Sequence, residues 1–183
     1  MLSDPETHGQ NLAHFTTHVV IYRLPLLSFH WAASILQDNL RFYQAKYRFR
    51  LLGYVIMPDH MHTIIWPRTG TAISDIMRDF KKYTSVQLIE ALSQRVVESG
   101  KPVSQLSRDP NLWQRNEPVP DPAAMMSAFR FAGSRYRKTR HKVWQDDFHD
   151  VLVWSPAVIR QKLNYIHGNP VRWGLVSAPG EWL

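Results

Sequence analysis

The stretch LLGYVIMPDHMHTIIWP, residues 51–67, decides the fold. It predicts two short strands joined by a tight turn, because β-branched and aromatic residues flank a break that contains Pro58. Side chains alternate between the two faces of a strand, so we expect His60 and His62 on one face and Met61 on the other. Two imidazoles would then share one surface of a sheet.

This pair of histidines is compatible with two roles. Neutral imidazoles are common ligands of divalent metals, and a strand would present both of them to one ion. Nine histidines occur among 183 residues, however, and on spacing alone a hydrogen-bonded or exposed pair without metal is the more frequent arrangement. Further residues must therefore converge on the same face before the pair defines a metal site.

The composition is typical of one domain that binds a polyanion. Hydrophobic residues make up 44% of the chain, which is enough for a substantial core. Lys and Arg number 22 against 15 Asp and Glu, a formal net charge of +7, which favours nucleic acid as a partner over an anionic membrane surface. The absence of cysteine excludes disulfides, zinc–thiolate sites and cysteine nucleophiles. No apolar run reaches the roughly 20 residues of a membrane span, and we expect a cytoplasmic protein with no membrane partner.

The first half of the chain predicts most of a ferredoxin-like unit. Residues 11–24 are rich in strand formers and end before Pro25. Apolar residues at helical spacing follow from residue 28, and a second helix is predicted from about residue 71 to about residue 97, after the strand pair. The order strand, helix, strand, strand, helix lacks one strand of a split β-α-β fold.

The last part of the chain predicts the missing strand and one more helix. Residues 149–154 are acceptable as a strand, with Val151 and Val153 on one face and Leu152 and Trp154 on the other. Ser155 followed by Pro156 is a strong helix start, and residues 168–170, Gly-Asn-Pro, are expected to end that helix.

Residues 98–141 interrupt this pattern. Five prolines break the segment, which predicts an insertion or loop with a short helix near residues 123–131. Residues 130–142 carry six basic side chains and no acid, interleaved with aromatic rings. This mixture suits single-stranded nucleic acid or a hairpin, although a solvated loop explains it equally well. The predicted DNA-binding residues are these six and two lysines of the second helix: Arg130, Arg135, Arg137, Lys138, Arg140, Lys142, Lys81 and Lys82.

Four segments, taken in order, resemble a known family: VIMPDHMHTIIW, DIMRDFKKYTS, VWQDDFHDVLV and NYIHGNPVRWGLV. Together they are similar to the REP-associated tyrosine transposases, members of the single-tyrosine HUH (His-hydrophobe-His) superfamily. The resemblance extends from about residue 11 to about residue 176, outside the insertion. It implies an α+β fold, a ferredoxin-like antiparallel sheet with helices packed on one face, which agrees with the order of elements predicted above. We expect residues 1–183 to form a single domain of this type.

The resemblance also implies a role for each of four residues. His60 and His62 match the pair that holds a divalent metal, Mg²⁺ or Mn²⁺, and Asn169 matches the amide that completes the set of ligands. Tyr165 matches the nucleophile. The implied activity is cleavage and rejoining of single-stranded DNA near hairpin (REP-like) elements through a 5′-phosphotyrosine intermediate, by a monomer or a homodimer.

Three alternatives stay open at this point. Tyr165 and Asn169 are four residues apart, but each could be an ordinary helix residue, and Tyr83 is a second possible nucleophile. The same fold could instead form a non-catalytic module that binds single-stranded or hairpin nucleic acid. A phosphohydrolase or nucleotidyl transferase with a nucleophilic histidine is disfavoured, because Ile64 occupies the place of the third histidine in a His-x-His-x-His pattern.

Overall fold

The structure is a computed structural model and describes residues 12–99, 121–136 and 139–182. These residues form four strands and four α-helices: β1 (Ala13–Val19), α1 (His30–Tyr47), β2 (Arg50–Ile56), β3 (His60–Trp66), α2 (Ile73–Ser99), α3 (Pro122–Tyr136), β4 (His149–Val153) and α4 (Pro156–Arg172). No helix within the described ranges is both long and apolar enough to cross a bilayer.

The four strands form one antiparallel sheet in the order β2-β3-β1-β4. This is the strand order of a split β-α-β fold, so the predicted ferredoxin-like α+β class is confirmed. The turn predicted around Pro58 joins β2 to β3, and it is closed by a hydrogen bond from the Met57 N–H to the His60 carbonyl at 2.8 Å. Pro58 therefore lies where its missing N–H costs no bond of the sheet.

Helices cover both faces of this sheet. On one face, Met61 and Ile65 of β3 belong to a large core cluster with residues of α1, α2 and α3. On the other face, Ile64 belongs to a smaller cluster with Ile166 of α4. The helices are thus divided three to one rather than packed on one face, because both faces carry apolar side chains and each needs a cover.

Helix α2 has the buried stripe that its sequence predicts. Ile73, Met77, Phe80, Thr84 and Leu88 are all buried. The helix begins and ends two residues later than predicted, at Ile73 and Ser99, a difference that is usual for helix ends.

Helix α3 is longer than the short helix predicted near residues 123–131. Asp121 stabilises its start, since the Asp121 Oδ1 accepts a hydrogen bond from the Ala124 N–H at 2.8 Å. Met125 and Phe129 are buried in the large core cluster. The predicted insertion therefore contains a helix of the core, while its full extent from 98 to 141 stays a prediction because residues 100–120 lie outside the described ranges.

The predicted end of α4 at residues 168–170 is wrong, since the helix continues to Arg172. Pro170 lacks only one helical N–H, and the turn after it is closed by the Trp173 N–H, which donates to the Asn169 carbonyl at 3.0 Å. The start is as predicted, with the Ser155 hydroxyl accepting from the Val158 N–H at 3.3 Å.

Gly53 allows α4 to pack closely on β2. A Cβ atom at this position would lie 2.8 Å from Cδ2 of Leu163, closer than carbon atoms approach. The contact fixes the distance of α4 from the sheet, and thereby the distance of its side chains from β3.

Leu88→Ala should lower the free energy of unfolding by about 2–5 kcal/mol, because it leaves a cavity under α2. Val86, two residues earlier, is 60% exposed, and Val86→Ala should change stability by no more than about 0.5 kcal/mol. Denaturant unfolding followed by circular dichroism measures both variants. Equal losses would contradict the placement of Leu88 in the core.

Candidate active site on the face covered by helix α4

His60 and His62 lie at the start of β3 and point to the same face of the sheet, as predicted. Their ring centroids are 4.8 Å apart, and both side chains are buried. Strand β3 is hydrogen-bonded on both sides, to β1 and to β2. The two imidazoles are therefore held by a central strand.

One nitrogen of each imidazole is hydrogen-bonded within the protein. His60 Nδ1 lies 2.5 Å from Asp59 Oδ1, and His62 Nδ1 lies 2.8 Å from Thr17 Oγ1. His62 Nε2 is buried and has no hydrogen-bond partner. A partner on Nδ1 and a free Nε2 is the arrangement of a histidine that binds metal through Nε2.

Asp59 orients His60 and is itself held by Arg23. The carboxylate is almost fully buried and accepts a hydrogen bond of 3.0 Å from Arg23 Nη1. Burial alone would raise the pKa of Asp59, but the hydrogen bonds and charges of His60 and Arg23 outweigh it and hold that pKa below its ordinary value. Arg23 has a left-handed backbone with φ of 53°, a conformation that costs a non-glycine residue about 1–2 kcal/mol. Because its pKa is lowered, Asp59 is ionised and accepts the hydrogen bond of the His60 ring N–H.

His62 is neutral at physiological pH. Burial is the main cause that lowers its pKa to about 3. The charges of His60, Arg172 and Lys162 act in the same direction. A neutral imidazole is the form that binds a metal ion.

Helix α4 brings Tyr165 and Asn169 to the same face. The Tyr165 ring lies 5.2 Å from the His62 ring, measured between centroids, and 5.8 Å from the ring of Phe15. Tyr165 is 41% exposed, while Asn169, one helical turn later, is buried and its Nδ2 has no hydrogen-bond partner. Of the four residues that the sequence singled out, Tyr165 thus lies against the histidine pair of β3, and Asn169 is buried one turn further along α4.

The donor atoms on this face fit a hard divalent cation. Within the described ranges no group of three or more His, Asp or Glu side chains could hold a metal ion. The amide of Asn169 is buried on α4, one helical turn after Tyr165, and its oxygen would serve as the third protein ligand of a metal at the two histidines. Two imidazoles and an amide oxygen leave further positions for water or substrate, which suits Mg²⁺ or Mn²⁺.

The other residues considered from sequence lie away from this face. Tyr83 belongs to α2, on the opposite side of the sheet, where its ring is 6.2 Å from that of Tyr43. His14 and His18 of β1 also point to that side, since Phe15 and Thr17 face α4. The structure thus brings Tyr165 to the histidine pair and leaves Tyr83 apart from it.

Two predicted DNA-binding lysines instead hold the chain segment 142–146. Lys81 Nζ donates to the carbonyls of Gln145 and Asp146, at 2.6 and 2.8 Å. Lys142 is buried and pairs with the Asp146 carboxylate at 2.5 Å. Both ammonium groups form hydrogen bonds or ion pairs within the protein, so the prediction that they contact DNA is not supported.

The remaining predicted DNA-binding residues are exposed or lie outside the described ranges. Arg137 and Lys138 lie outside the described ranges. Arg135 is exposed, with its guanidinium 6.0 Å from the Phe131 ring. Two adjoining grooves of about 620 and 490 Å³ run along α2 on the face opposite the histidines, and exposed cations border them: Arg78 and Lys82 at the first, Arg130 and Arg140 at the second.

Sequence reasoning missed the residues that orient the histidines. Thr17 and Asp59 make the hydrogen bonds to the two Nδ1 atoms. Asp59 directly precedes His60 in the sequence, but its role depends on the turn, which folds the carboxylate back onto the ring. Thr17 could be found only from the register that pairs it with His62.

A His-x-His pair that faces a tyrosine on a helix is the arrangement that the resemblance to single-tyrosine HUH transposases implies. The sequence profile of IS200-like transposases matches residues 10–115, more than half of the chain. The chain therefore belongs to the IS200-like transposase family. The matched region contains His60 and His62 and ends before Tyr165 and Asn169.

A solved structure shows the same fold. A REP-associated tyrosine transposase bound to a REP hairpin is similar with a TM-score of 0.59 and 17% identity, over 100% of this chain and 80% of that one. A candidate transposase from Deinococcus radiodurans R1 is similar with a TM-score of 0.48 and 14% identity, over 90% of this chain and 95% of that one. A search of curated proteins gave no significant match.

Asp59→Asn should weaken binding of Mn²⁺ by about 10- to 100-fold, because it removes the charge that makes His60 a better ligand. Calorimetric titration with Mn²⁺ measures the affinity, and thermal unfolding without metal shows that the variant is folded. Asp38→Asn, an exposed carboxylate paired with Arg41 on α1, is the matched control and should bind as the wild type does. Unchanged affinity in folded Asp59→Asn protein would contradict the orienting role.

Proposed function

We propose that this transposase cleaves and rejoins single-stranded DNA near hairpins, with Tyr165 as the nucleophile and a divalent metal held by His60, His62 and Asn169. The observation that carries the proposal is the contact between the rings of Tyr165 and His62, 5.2 Å apart. These residues are about a hundred positions apart in the sequence, and α4 covers the face of the sheet on which His62 Nε2 is buried without a hydrogen-bond partner. In this proposal the whole chain is one domain, with an insertion at about 98–141.

The chemistry follows from the residues at the site. A bound Mg²⁺ or Mn²⁺ would polarise the scissile phosphate and offset the negative charge that develops on its oxygens. The Tyr165 hydroxyl oxygen attacks phosphorus and loses its proton to water, and the bond from phosphorus to the 3′ oxygen breaks. That oxygen takes up a proton and leaves as a 3′-hydroxyl, while the phosphate stays on Tyr165. Attack by a 3′-hydroxyl on the phosphotyrosine reverses these steps and rejoins a strand.

Phe15 and Lys162 complete the surroundings of the nucleophile. The Phe15 ring stacks on His62 at 5.2 Å and meets the edge of Tyr165 at 5.8 Å, so it packs against both rings. Lys162 Nζ lies 4.7 Å from the centre of the Phe15 ring. Its charge favours the approach of a phosphate to Tyr165.

The proposal that DNA is the partner is supported by the basic grooves on the face of the sheet opposite the histidines. Arg78, Lys82, Arg130 and Arg140 border them, and exposed cations of this kind neutralise phosphates. The similar transposase of known structure is bound to a REP hairpin, and we propose a hairpin as the partner of these grooves. With DNA as the substrate we expect the protein to act in the cytoplasm, as a monomer or a homodimer.

A second function is favoured by the same grooves, because they lie apart from the histidines. A protein that only binds hairpins would use the cations along α2 and leave Tyr165 without a chemical role. Such a protein would bind DNA tightly and form no covalent adduct.

Tyr165→Phe should abolish covalent attachment to DNA, with a loss of about 10³-fold or more, because it removes the attacking oxygen. The assay incubates the protein with labelled single-stranded DNA that carries a hairpin, with Mn²⁺ or EDTA, and resolves adducts on a denaturing gel. Tyr83→Phe is the matched control and should form the adduct at the wild-type rate.

The other outcomes of this assay reject parts of the proposal. Binding without any adduct, on a broad panel of hairpins, would favour the binding module. An adduct that persists in Tyr165→Phe and disappears in Tyr83→Phe would place the chemistry on α2. An adduct that is equally abundant in EDTA would exclude a role for the metal.

The double variant Arg130→Gln, Arg140→Gln should bind hairpin DNA more weakly and with a shallower dependence on salt. Each lost phosphate contact on single-stranded DNA reduces the slope of log K against log salt by about 0.7, and each contact on a duplex by about 0.9. Fluorescence anisotropy at several salt concentrations measures this slope. Arg41→Gln, an exposed arginine on α1, should leave it unchanged, and an unchanged slope in the double variant would reject the groove as the DNA-binding surface.

A further inference from the structure

Arg172 is folded back along α4 onto Tyr165. Its Cζ lies 4.6 Å from the centre of the Tyr165 ring, and its Nη2 donates a hydrogen bond of 2.6 Å to the Tyr165 backbone carbonyl. Arg172 is exposed at the last position of the helix, where an arginine without contacts would keep its full rotamer freedom. Two contacts with a single residue seven positions earlier instead define where the guanidinium lies.

Gly168 provides the space for this conformation. A Cβ atom at Gly168 would lie 2.9 Å from Arg172 Nη1 and 3.6 Å from Arg172 Cζ. Gly168 has no positive φ, so its backbone conformation does not require glycine. Within a helix glycine is less favourable than alanine, and an alanine here would require the end of the Arg172 side chain to move.

We propose that Arg172 is a positioning residue that holds the Tyr165 ring beside His62, and that Gly168 makes this possible. The inference rests on the proposed role of Tyr165 as the nucleophile. Tyr165 is a partly exposed side chain of α4. On the side of the sheet its ring contacts the rings of Phe15 and His62. The guanidinium is a third neighbour of the ring, 4.6 Å from its centre, and its removal would leave the ring with contacts to Phe15 and His62 alone.

The geometry of an arginine suits this role better than that of a lysine. A planar guanidinium can lie against the face of an aromatic ring while its N–H groups donate in the same plane. One of its five N–H donors is used by the Tyr165 carbonyl, and the others remain directed along the plane, toward solvent or a phosphate of the DNA. Arg172 would thus fix the nucleophile and keep positive charge next to it.

Four variants of the full chain test the proposal: Gly168→Ala, Arg172→Met, Arg172→Lys and, as a control, Arg160→Met. Arg160 is an exposed arginine of the same helix, five residues before Tyr165 and therefore on a different side. Three quantities are measured for each: the single-turnover rate of adduct formation at saturating hairpin DNA, the thermal unfolding midpoint, and the ¹⁹F NMR signal of Tyr165. The last uses protein labelled with fluorotyrosine, with the signal assigned by its loss in Tyr165→Phe.

Gly168→Ala keeps the charge of Arg172 and requires the end of its side chain to move. We expect it to unfold at or above the wild-type temperature, since alanine favours a helix. Its adduct rate should fall by about 10- to 100-fold, since misplacement of a nucleophile by an ångström has effects of this size. The Tyr165 signal should shift or broaden.

Arg172→Met should show the same change of the Tyr165 signal. Arg172→Lys should form the adduct more slowly than the wild type, because an ammonium group cannot lie flat on the ring. Arg160→Met should match the wild type in all three measurements.

The opposite results overturn the inference. A wild-type rate and signal in folded Arg172→Met protein would show that the arginine does not position the ring, and the same result in Gly168→Ala alone would show that Gly168 is not needed for it. Full activity of Arg172→Lys would show that charge alone matters. If the wild type itself forms no adduct, the proposed function fails, and the Tyr165 signal in Gly168→Ala and Arg172→Met still decides whether Arg172 holds the ring.

Discussion

The central place of β3 in the sheet is the constraint on which the rest of the structure depends. It pairs with β1 on one side and β2 on the other, so its register is fixed twice, and a slip by one residue would exchange its two faces. Met61 and Ile65 enter the large core, and the alternation of the strand then places His60 and His62 on the opposite face. The burial that selects the register therefore also places the two imidazoles.

Helix α4 supplies the second half of the site through a similar coupling. Ile166 is buried in the small cluster under the helix, and Tyr165 precedes it by one residue. Asn169 lies four residues after Tyr165, so both side chains are on the side of the helix adjacent to its buried stripe. The close packing of Leu163 on Gly53 sets how near this side comes to β3. The packing of Leu163 on Gly53 and the contact of Tyr165 with His62 thus belong to one interface between α4 and the sheet.

Local patterns were sufficient to predict the positions of the four strands and of α1, α2 and α4, because alternation and helical spacing act over a few residues. The four residues of the candidate site were singled out by the family resemblance, since spacing alone left other roles open for each of them. They could not show which face each helix covers, since an amphipathic stripe marks buried residues without naming the surface they meet. The persistence of α4 past Pro170 depends on hydrogen bonds from later residues. The roles of Lys81 and Lys142 depend on acceptors that only the fold brings near, and the same is true of Asp59 as the partner of an imidazole.

An unpartnered buried nitrogen does not by itself define a functional site. Buried polar groups are nearly always hydrogen-bonded, and His18 is an exception on the other face of the sheet, where its Nδ1 has no partner while Nε2 is bonded to Thr16. That ring stacks on Phe148 and has no second unpartnered group beside it among the described residues. On the face covered by α4, two unpartnered groups from different elements occur next to an exposed tyrosine, and a helix glycine stands where alanine would be more stable. Departures from local rules are expected at functional sites, and within the part of the chain that the structure describes they coincide on this face.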